Sequence, residues 1–318
     1  MAELKPFPDA AKYVFKEKFI ERYSKLTDWE TFKRYTLSFL RKSIRINTLK
    51  SSVEECAKRL EKDWILEPVL WCKEGFFIVH KGGRRDVGNT IEHALGYYYV
   101  QEAASMIPPV VLNPKPGDVV LDMAAAPGSK ASQISQYLQN KGVIVSNDVK
   151  GDRLAALGIN MQRLGSYNHV ITLMQGERFA NAGIQFDRVL LDAPCSGTGT
   201  IRKSPKTILM WNPDMVRRLA RMQKKLIMTA WKVLKPGGTL VYSTCSTEPE
   251  ENEAVVSHLL ENAKNARMLE IDLPIKRGAP VLEFEGETYN PEVHNCLRMW
   301  PQDNDTEGFF VAGIRKEE

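Results

Sequence analysis

From about Asp118 the chain alternates short apolar runs with helical segments, and no other feature limits the fold as tightly. "DVVLDMA" has the composition of a buried strand and leads through a glycine turn into the helical "SKASQISQYLQN". "VIVSND" (143–148) is the next strand and "GDRLAALGINMQRLG" the next helix, and "HVITLMQ" and "FDRVLLDAP" are two more strands. Asn212 then caps a helix with Pro213 in its first turn, and Val216, Leu219, Gln223, Leu226, Ala230 and Val233 share one face. "LKPGG" ends this helix and "TLVYSTC" is another strand. Strands separated by helices return parallel to one another, so the expected core is α/β, a doubly wound, Rossmann-like sheet. "HNCLRMWP" and "GFFVAGI" add strands that close one edge.

The N-terminal third has a different rhythm. Residues 1–50 read as mainly helical and basic, with aromatics at irregular helical spacing (Tyr13, Phe15, Phe19, Tyr23, Phe39). "SIRINTL" (43–49), "WILEPVLWC" (64–72) and "FFIVH" (76–80) are extended, and a helix capped by Ser52 lies between the first two. "KGGRRDVGN" (81–89) is a basic loop. We therefore expect a small α+β subdomain over 1–95 and the main α/β domain over 96–318.

Composition excludes several classes. A 43% apolar and 26% charged chain of 318 residues is of the globular type, with no apolar run long enough to span a bilayer. "MAELKPFPDA" lacks the basic and apolar regions of a secretory leader, so a cytoplasmic protein is expected. The five cysteines are scattered without a CxxC pair, so no metal site is expected. The net charge of +5 is concentrated between Ile201 and Lys235, where ten Lys and Arg face the single acid Asp214. Such clustering fits a polyanionic partner as well as a solvated helix face.

In a doubly wound sheet, ligands lie beyond the carboxyl ends of the strands. "LDMAAAPGSK" (121–130) falls there, and its small residues Ala124, Ala125, Ala126 and Gly128 let backbone approach a ligand before a helix N-terminus. Asp148, ending the second strand, is placed to accept hydrogen bonds from ribose hydroxyls. The loop lacks both the GxGxxG of dinucleotide sites and the GxxxxGK[ST] of triphosphate sites. S-adenosylmethionine, which carries no phosphate, fits best.

With "VQEAASM", "LDMAAAPGSK", "ND" followed by "DRL", "FDRVLLDAPCSGTG", "LKPGGTLVYSTCSTEPEENE" and "GFFVA", the chain resembles the Nop/Sun RNA (cytosine-5) methyltransferases from about Tyr99 almost to its end. "SIRINTL" looks like the small RNA-binding subdomain that precedes the catalytic domain of that family. The resemblance implies an S-adenosylmethionine pocket built from Ala124, Ala125, Ala126, Pro127, Gly128, Ser129 and Lys130, with Asp148 on the ribose and Arg153 at a further cofactor position. It also exposes a departure. The family carries an acid at the end of the third strand, where this chain has Gln175; an amide can still bond an adenine amino group, and Glu177 is a substitute.

Cytosine C5 is a poor nucleophile. Addition of a thiolate at C6 makes C5 reactive, and the step needs a poised sulfur plus an acid or hydrogen bond at the N3 side of the ring. Cys245 or Cys195 can supply the sulfur and Asp192 the N3 contact, while Lys130 can stabilise charge or help ionise a thiol. The chemistry alone does not choose between the two cysteines, and the proline–cysteine pair of DNA cytosine methyltransferases points to Cys195. The Nop/Sun resemblance implies the reverse: Cys245 attacks C6 and Cys195 assists product release. Cys56, Cys72 and Cys296 read as buried packing residues.

The expected activity is therefore a tRNA cytosine-5 methyltransferase, with rRNA as the second substrate class and no helper protein identifiable. The basic run would meet RNA phosphates, and Arg45 and "KGGRR" are further RNA candidates. A non-catalytic RNA-binding or ribosome-assembly protein on the same scaffold would have no use for two thiols. An amino-group methyltransferase would carry Pro-Pro and an aromatic where this chain has "DAPC".

Overall fold

The computed structural model describes residues 4–318; residues 1–3, which begin the stretch read for a leader, lie outside it. Helices α1 (Glu17–Leu26) and α2 (Trp29–Thr36) come first, the second capped by the Asp28 side chain on the Thr31 amide. Strand β1 (Ser43–Ile46) follows, then α3 (Val53–Leu60), where Ser52 and Glu55 form a reciprocal capping box contributing about 1 kcal/mol. Next are β2 (Trp64–Pro68), β3 (Gly75–His80), a single turn α4 (Ile91–Ala94) and β4 (Tyr98–Val100). The four strands form an antiparallel sheet in the order β2-β3-β1-β4. Because β4 pairs with β1, the small sheet reaches Val100, past the boundary expected at residue 95.

Two segments of this third have different packing partners. Ile44, Ile46, Leu60, Trp64 and Ile78 form a small core under α3. Helices α1 and α2 instead bury Phe19, Tyr23 and Phe32 against Ile201, Ile208, Trp211 and Trp300 of the main domain. Irregular aromatic spacing in the sequence is the trace of this second core, since short helices meeting at an angle share no single stripe.

The main domain begins with α5 (Ile107–Leu112), β5 (Val119–Asp122), α6 (Ser129–Tyr137), β6 (Val143–Asp148), α7 (Gly151–Leu164), β7 (His169–Leu173) and β8 (Phe186–Asp192). It continues through α8 (Lys206–Met210), α9 (Pro213–Val233), β9 (Leu234–Thr244), α10 (Glu253–Asn262) and β10 (Ala266–Met268). A hairpin of β11 (Glu283–Phe284) and β12 (Glu287–Thr288), then β13 (Leu297–Met299), α11 (Pro301–Asn304) and β14 (Phe309–Lys316), complete it. The sheet order is β10-β14-β9-β8-β5-β6-β7, parallel from β9 to β7, with β14 antiparallel to β9.

The doubly wound expectation holds. Helix α9 stops at Val233 as expected, but "LKPGG" lies inside β9, whose register against β8 shifts between Phe186 and Arg188. The edge is built differently from the sequence reading: β14 is internal, and β10 and β13 both pair with it from outside. One sheet face packs on α9 and α10 through Leu226, Trp231, Val255 and Leu259; the other packs on α5 and α6 through Ile107, Leu112 and Ile134. Strands are added outward from β5 in opposite directions, β6 and β7 on one side and β8 and β9 on the other, so the crevice at the carboxyl ends of β5 and its neighbours is the place for a ligand. No helix among the described residues is long and apolar enough to cross a membrane.

Candidate active site

Strands β8 and β9 are parallel neighbours with Asp192 opposite Ser243, so the loops that follow leave the sheet side by side. The Ala193 amide bonds the Ser243 carbonyl at 2.9 Å, which carries the pairing one residue further. Cys195 and Cys245 therefore meet, Sγ to Sγ 3.3 Å. Their successors also meet: Ser196 Oγ lies 3.1 Å from Ser246 Oγ. The buried Glu251 carboxylate ties the two loops together, accepting from the Ser196 amide at 2.9 Å, the Ser196 hydroxyl, the Ser246 hydroxyl at 2.5 Å and Gln223 Nε2 at 3.0 Å. Gly199 closes the corner: its amide donates to Cys245 O and its carbonyl accepts from the Gly308 amide, both at 2.9 Å. A Cβ at Gly199 would sit 2.1 Å from the Gly308 carbonyl, so only glycine fits.

Lys130, in the first turn of α6, reaches across to Asp192 with Nζ–Oδ2 2.7 Å, and Ser243 Oγ donates to Asp192 Oδ1 at 2.7 Å. Burial pulls the Lys130 ammonium down, but pairing with Asp192 outweighs it and leaves the pKa above the ordinary lysine value. Its Nζ is also 5.5 Å from the centre of the Phe309 ring. Asp122, at the end of β5, is fully buried with Oδ2 unpartnered; burial, and then the nearby Asp192, push it up to about 7. Asp192 so placed is an acceptor, and Asp122 is the neighbouring acid that still carries a proton near neutrality. Cys195 is raised well above the usual thiol value by its bond to Cys245, by burial and by the charges of Cys245 and Glu251, so it stays a protonated donor facing the Cys245 sulfur.

The cofactor-type crevice lies beside this cluster. A cavity of about 300 Å³ is lined by Ala124, Asp148, Arg153, Gln175 and Glu177 with apolar walls from Met123, Leu191, Met222 and Leu226. A smaller cavity of about 60 Å³ continues past Ala124, Ala125, Ala126, Pro127, Ser129 and Lys130 to Asp122 and Asp192. Gly128 is the N-cap of α6 at φ +103°, and a Cβ there would meet Leu157 Cδ1 at 3.0 Å. Asp148 Oδ1 accepts the Lys150 amide at 3.0 Å, whereas its buried Oδ2 accepts no hydrogen bond and faces Arg153 Nη1 at 3.0 Å. Arg153 also donates to the Ala126 carbonyl.

A buried carboxylate with an oxygen that accepts no hydrogen bond, small-residue backbone and apolar walls are what a neutral ribose and an adenine require, so these residues fit S-adenosylmethionine. Of the residues expected to hold it, Ala124, Asp148, Arg153 and Gln175 line the larger cavity, and Ala124, Ala125, Ala126, Pro127, Ser129, Lys130 and Asp192 line the smaller one; Gly128 lines neither and instead caps α6. Gln175 and Glu177 both line it and both are exposed.

Several residues of the site escaped the sequence reading. Asn147 spans the ends of three strands, donating to the carbonyls of Met123 (3.1 Å) and Met174 (3.0 Å) and accepting from Thr172 Oγ1 (3.0 Å). Asp122, Glu251, Ser243 and Phe309 are the others, and each lies within a quoted motif. Their position beside a candidate cysteine or glycine loop was the available signal.

Two RNA candidates need correction. Arg45 is 1% exposed and donates to Gln101 Oε1 (2.8 Å), Ser132 Oγ (2.7 Å) and Gln136, joining the small sheet to α6. Its guanidinium is used up inside the protein. Arg202 is likewise buried, bonding the carbonyls of Ser38, Phe39 and Thr306 and pairing with Asp305. Lys235 pairs with Asp187 at 2.7 Å and Arg217 with Asp214 at 2.7 Å. Lys203, Lys206, Arg218, Arg221, Lys225 and Lys232 remain exposed. In the "KGGRR" loop, Arg84 pairs with Asp86 at 2.8 Å and Arg85 stacks over Phe39. Cys56, Cys72 and Cys296 are buried, and burial raises the first two to about 11 and about 12.

Comparison with known proteins places this geometry in context. Residues 109–315 match the model of the 16S rRNA methyltransferase RsmB/F family, and residues 15–103 match the N-terminal domain of 16S rRNA methyltransferase RsmF. The tRNA (cytosine(49)-C(5))-methyltransferase of Pyrococcus abyssi is 50% identical over 94% of this chain and 96% of its own length. The ribosomal RNA small subunit methyltransferase F of Vibrio parahaemolyticus is 45% identical over 87% of this chain, which spans only 57% of that longer protein. Among solved structures, a methyltransferase homologue from Pyrococcus horikoshii superposes with a TM-score of 0.86 at 37% identity, covering 98% of this chain and 99% of that one. NSun6 from Pyrococcus horikoshii with SFG, an S-adenosylmethionine analogue, gives 0.83 at 25% identity over 96% of this chain and 99% of that one.

Proposed function

The chain belongs to the RsmB/F (Nop/Sun) family of S-adenosylmethionine-dependent RNA cytosine-5 methyltransferases, and from that premise we propose that it methylates tRNA through a covalent bond between Cys245 and C6 of the target cytosine. The observation that carries this reading is the meeting of two thiols, 3.3 Å apart, beside the Lys130–Asp192 pair at the mouth of the crevice.

Ala124 to Lys130, Asp148, Arg153 and Gln175 are the residues that would hold S-adenosylmethionine, which supplies the electrophilic methyl group. Cys245 adds to C6 as the thiolate; the ring electrons move toward N3 and leave C5 nucleophilic. Asp192 passes to N3 the proton held at neighbouring Asp122, which neutralises the charge developing there while Lys130 stays paired with the carboxylate, and N3 gives that proton back as C5 takes the methyl group. After methylation, water in the open cleft takes the C5 proton as the C5–C6 double bond re-forms and the C6–S bond breaks, which returns Cys245 as the thiolate. Cys195, a protonated thiol in hydrogen-bond contact with that sulfur, assists its departure.

The small sheet and the exposed bases Lys203, Lys206, Arg218 and Arg221 hold the flanking phosphates, and the target base leaves its stack to enter the site. The preference for tRNA rests on the Pyrococcus abyssi relative, which this chain matches almost end to end. The rRNA reading rests on the family model and on relatives of which this chain spans little more than half. Incubating the protein with unmodified tRNA and with 16S rRNA, followed by bisulfite sequencing, separates them. We expect a protected cytosine in tRNA, with position 49 the first to inspect. Protection confined to rRNA would reject the tRNA assignment.

A further inference from the structure

A third cavity, of about 540 Å³, opens where the N-terminal segment, β1, β4 and the loop after Cys195 come together. Phe39 forms one wall, with the Phe7 ring edge-on at 5.1 Å and the Arg85 guanidinium 4.1 Å above its face. Val100, an apolar residue 37% exposed, forms another. Lys42, Arg85 and Lys203 are exposed cations of the lining. Of its two acids, Asp9 is already paired with Lys12 at 2.9 Å. The other, Glu102, is pushed up to about 8 by burial and by Glu307, so at pH 7 it adds little negative charge. The cavity is therefore aromatic and cationic, which suits a nucleotide.

Its walls are bonded to the catalytic loops. Buried Arg202 holds the carbonyls of Ser38 (3.2 Å) and Phe39 (2.8 Å) on one side and that of Thr306 (3.1 Å) on the other. Glu102 Oε1 accepts the Glu307 amide at 3.3 Å, and the next residue, Gly308, donates to Gly199, whose own amide bonds Cys245 O. The aromatic wall and the nucleophile are thus two ends of one hydrogen-bonded framework.

We propose that this cavity is a subsite for the nucleobase adjacent to the target cytosine, received between Phe39, Arg85 and Val100. The inference rests on the RNA methyltransferase reading and extends it. A flipped base leaves its neighbour without a stacking partner, and an aromatic wall fixed relative to Cys245 replaces that partner. Arg202, placed in the basic run by sequence, acts here as a positioning residue that holds Phe39 in register with the catalytic loops.

The test crosses a change in the protein with a change in the RNA. Fluorescence anisotropy, run without S-adenosylmethionine so that no irreversible adduct forms, measures Kd of the wild-type protein, Arg85→Ala and Phe39→Leu for a labelled RNA containing 5-fluorocytosine at the target. The same RNA is also made abasic at the 5′ or the 3′ neighbour. Arg85 is exposed, so its removal leaves the fold intact, and Phe39→Leu keeps an apolar side chain there. Wild type should lose about tenfold on one of the two abasic RNAs. Each variant should lose about as much on intact RNA and less than about twofold more when the same base is also missing. Losses that multiply independently, or no loss from either change, overturn the proposal. Covalent adduct formation on the intact strand scores the methyltransferase reading separately, because it reports Cys245 rather than this cavity.

Discussion

The sulfur atoms of Cys195 and Cys245 lie 3.3 Å apart although 50 residues separate them in the chain. Under the proposed mechanism the two positions are not equivalent. Cys245→Ala should lower methyl transfer by at least about a thousandfold and abolish the denaturation-resistant adduct with 5-fluorocytosine RNA. Cys195→Ala should instead accumulate a covalent protein–RNA complex on ordinary cytosine while turnover stops. Denaturing gels read both results. An active Cys245→Ala enzyme would eliminate the proposed mechanism.

Glu251 clamps the serines that follow both cysteines, and burial raises it to about 7. Asp122 is raised to about 7 and Glu102 to about 8, burial being the leading cause for each. A carboxyl whose pKa is higher folded than unfolded contributes stability in full below its unfolded value and loses it as pH rises through the folded one. The melting temperature should therefore fall between about pH 5 and pH 8, by an amount on the order of a few kcal/mol in stability. Glu251→Gln should flatten part of that slope. Glu251→Ala, which leaves several donors unpaired, should cost about 3 kcal/mol in denaturant unfolding. A pH-independent melting temperature for the wild type would contradict these assignments.

Lys130 pairs with Asp192 at 2.7 Å, and Asp122, whose pKa is raised by burial and by Asp192, lies beside the pair. In Lys130→Met the two carboxyls face each other without it, and like charges disfavour joint ionisation. The rate constant kcat should drop about a hundredfold or more, and the acid limb of the kcat/KM profile should move to higher pH. A variant with reduced rate but an unmoved profile would show that Lys130 serves packing alone.

Arg45 and Arg218 should behave oppositely. Arg45 is buried among Gln101, Ser132 and Gln136, so Arg45→Met should destabilise the fold by about 2–4 kcal/mol in urea titrations. The salt dependence of RNA affinity should not change. Arg218→Ala, at an exposed position of α9, should leave unfolding unchanged and reduce the slope of log K against log salt by about one. The reverse pattern would return Arg45 to the RNA-binding surface.

Much of this molecule could be read from the chain alone, for identifiable reasons. Burial on both sheet faces writes continuous apolar runs, and helices between them force parallel pairing, so the doubly wound core was legible. Small residues such as Ala124, Ala126 and Gly128 sit in one contiguous stretch, so the candidate cofactor loop after β5 was legible with them. The edge at β10, the extension of the small sheet to Val100 and the second core under α1 and α2 were not, because a strand of three residues or an angled short helix carries too little periodicity.

Local composition determined which side chains could do chemistry: two thiols and an acid beyond strand ends, and an alanine-rich turn leading to a lysine in the first turn of α6. Only the tertiary structure decided their partners. Strand register set Cys195 against Cys245, the reach of Lys130 across the crevice selected Asp192, and burial made Glu251 and Asp122 hold protons near neutrality. It also turned Arg45 and Arg202 from apparent RNA ligands into internal ties. Charge is written in the sequence, but whether a charge meets solvent or a carbonyl depends on contacts between residues far apart in the chain.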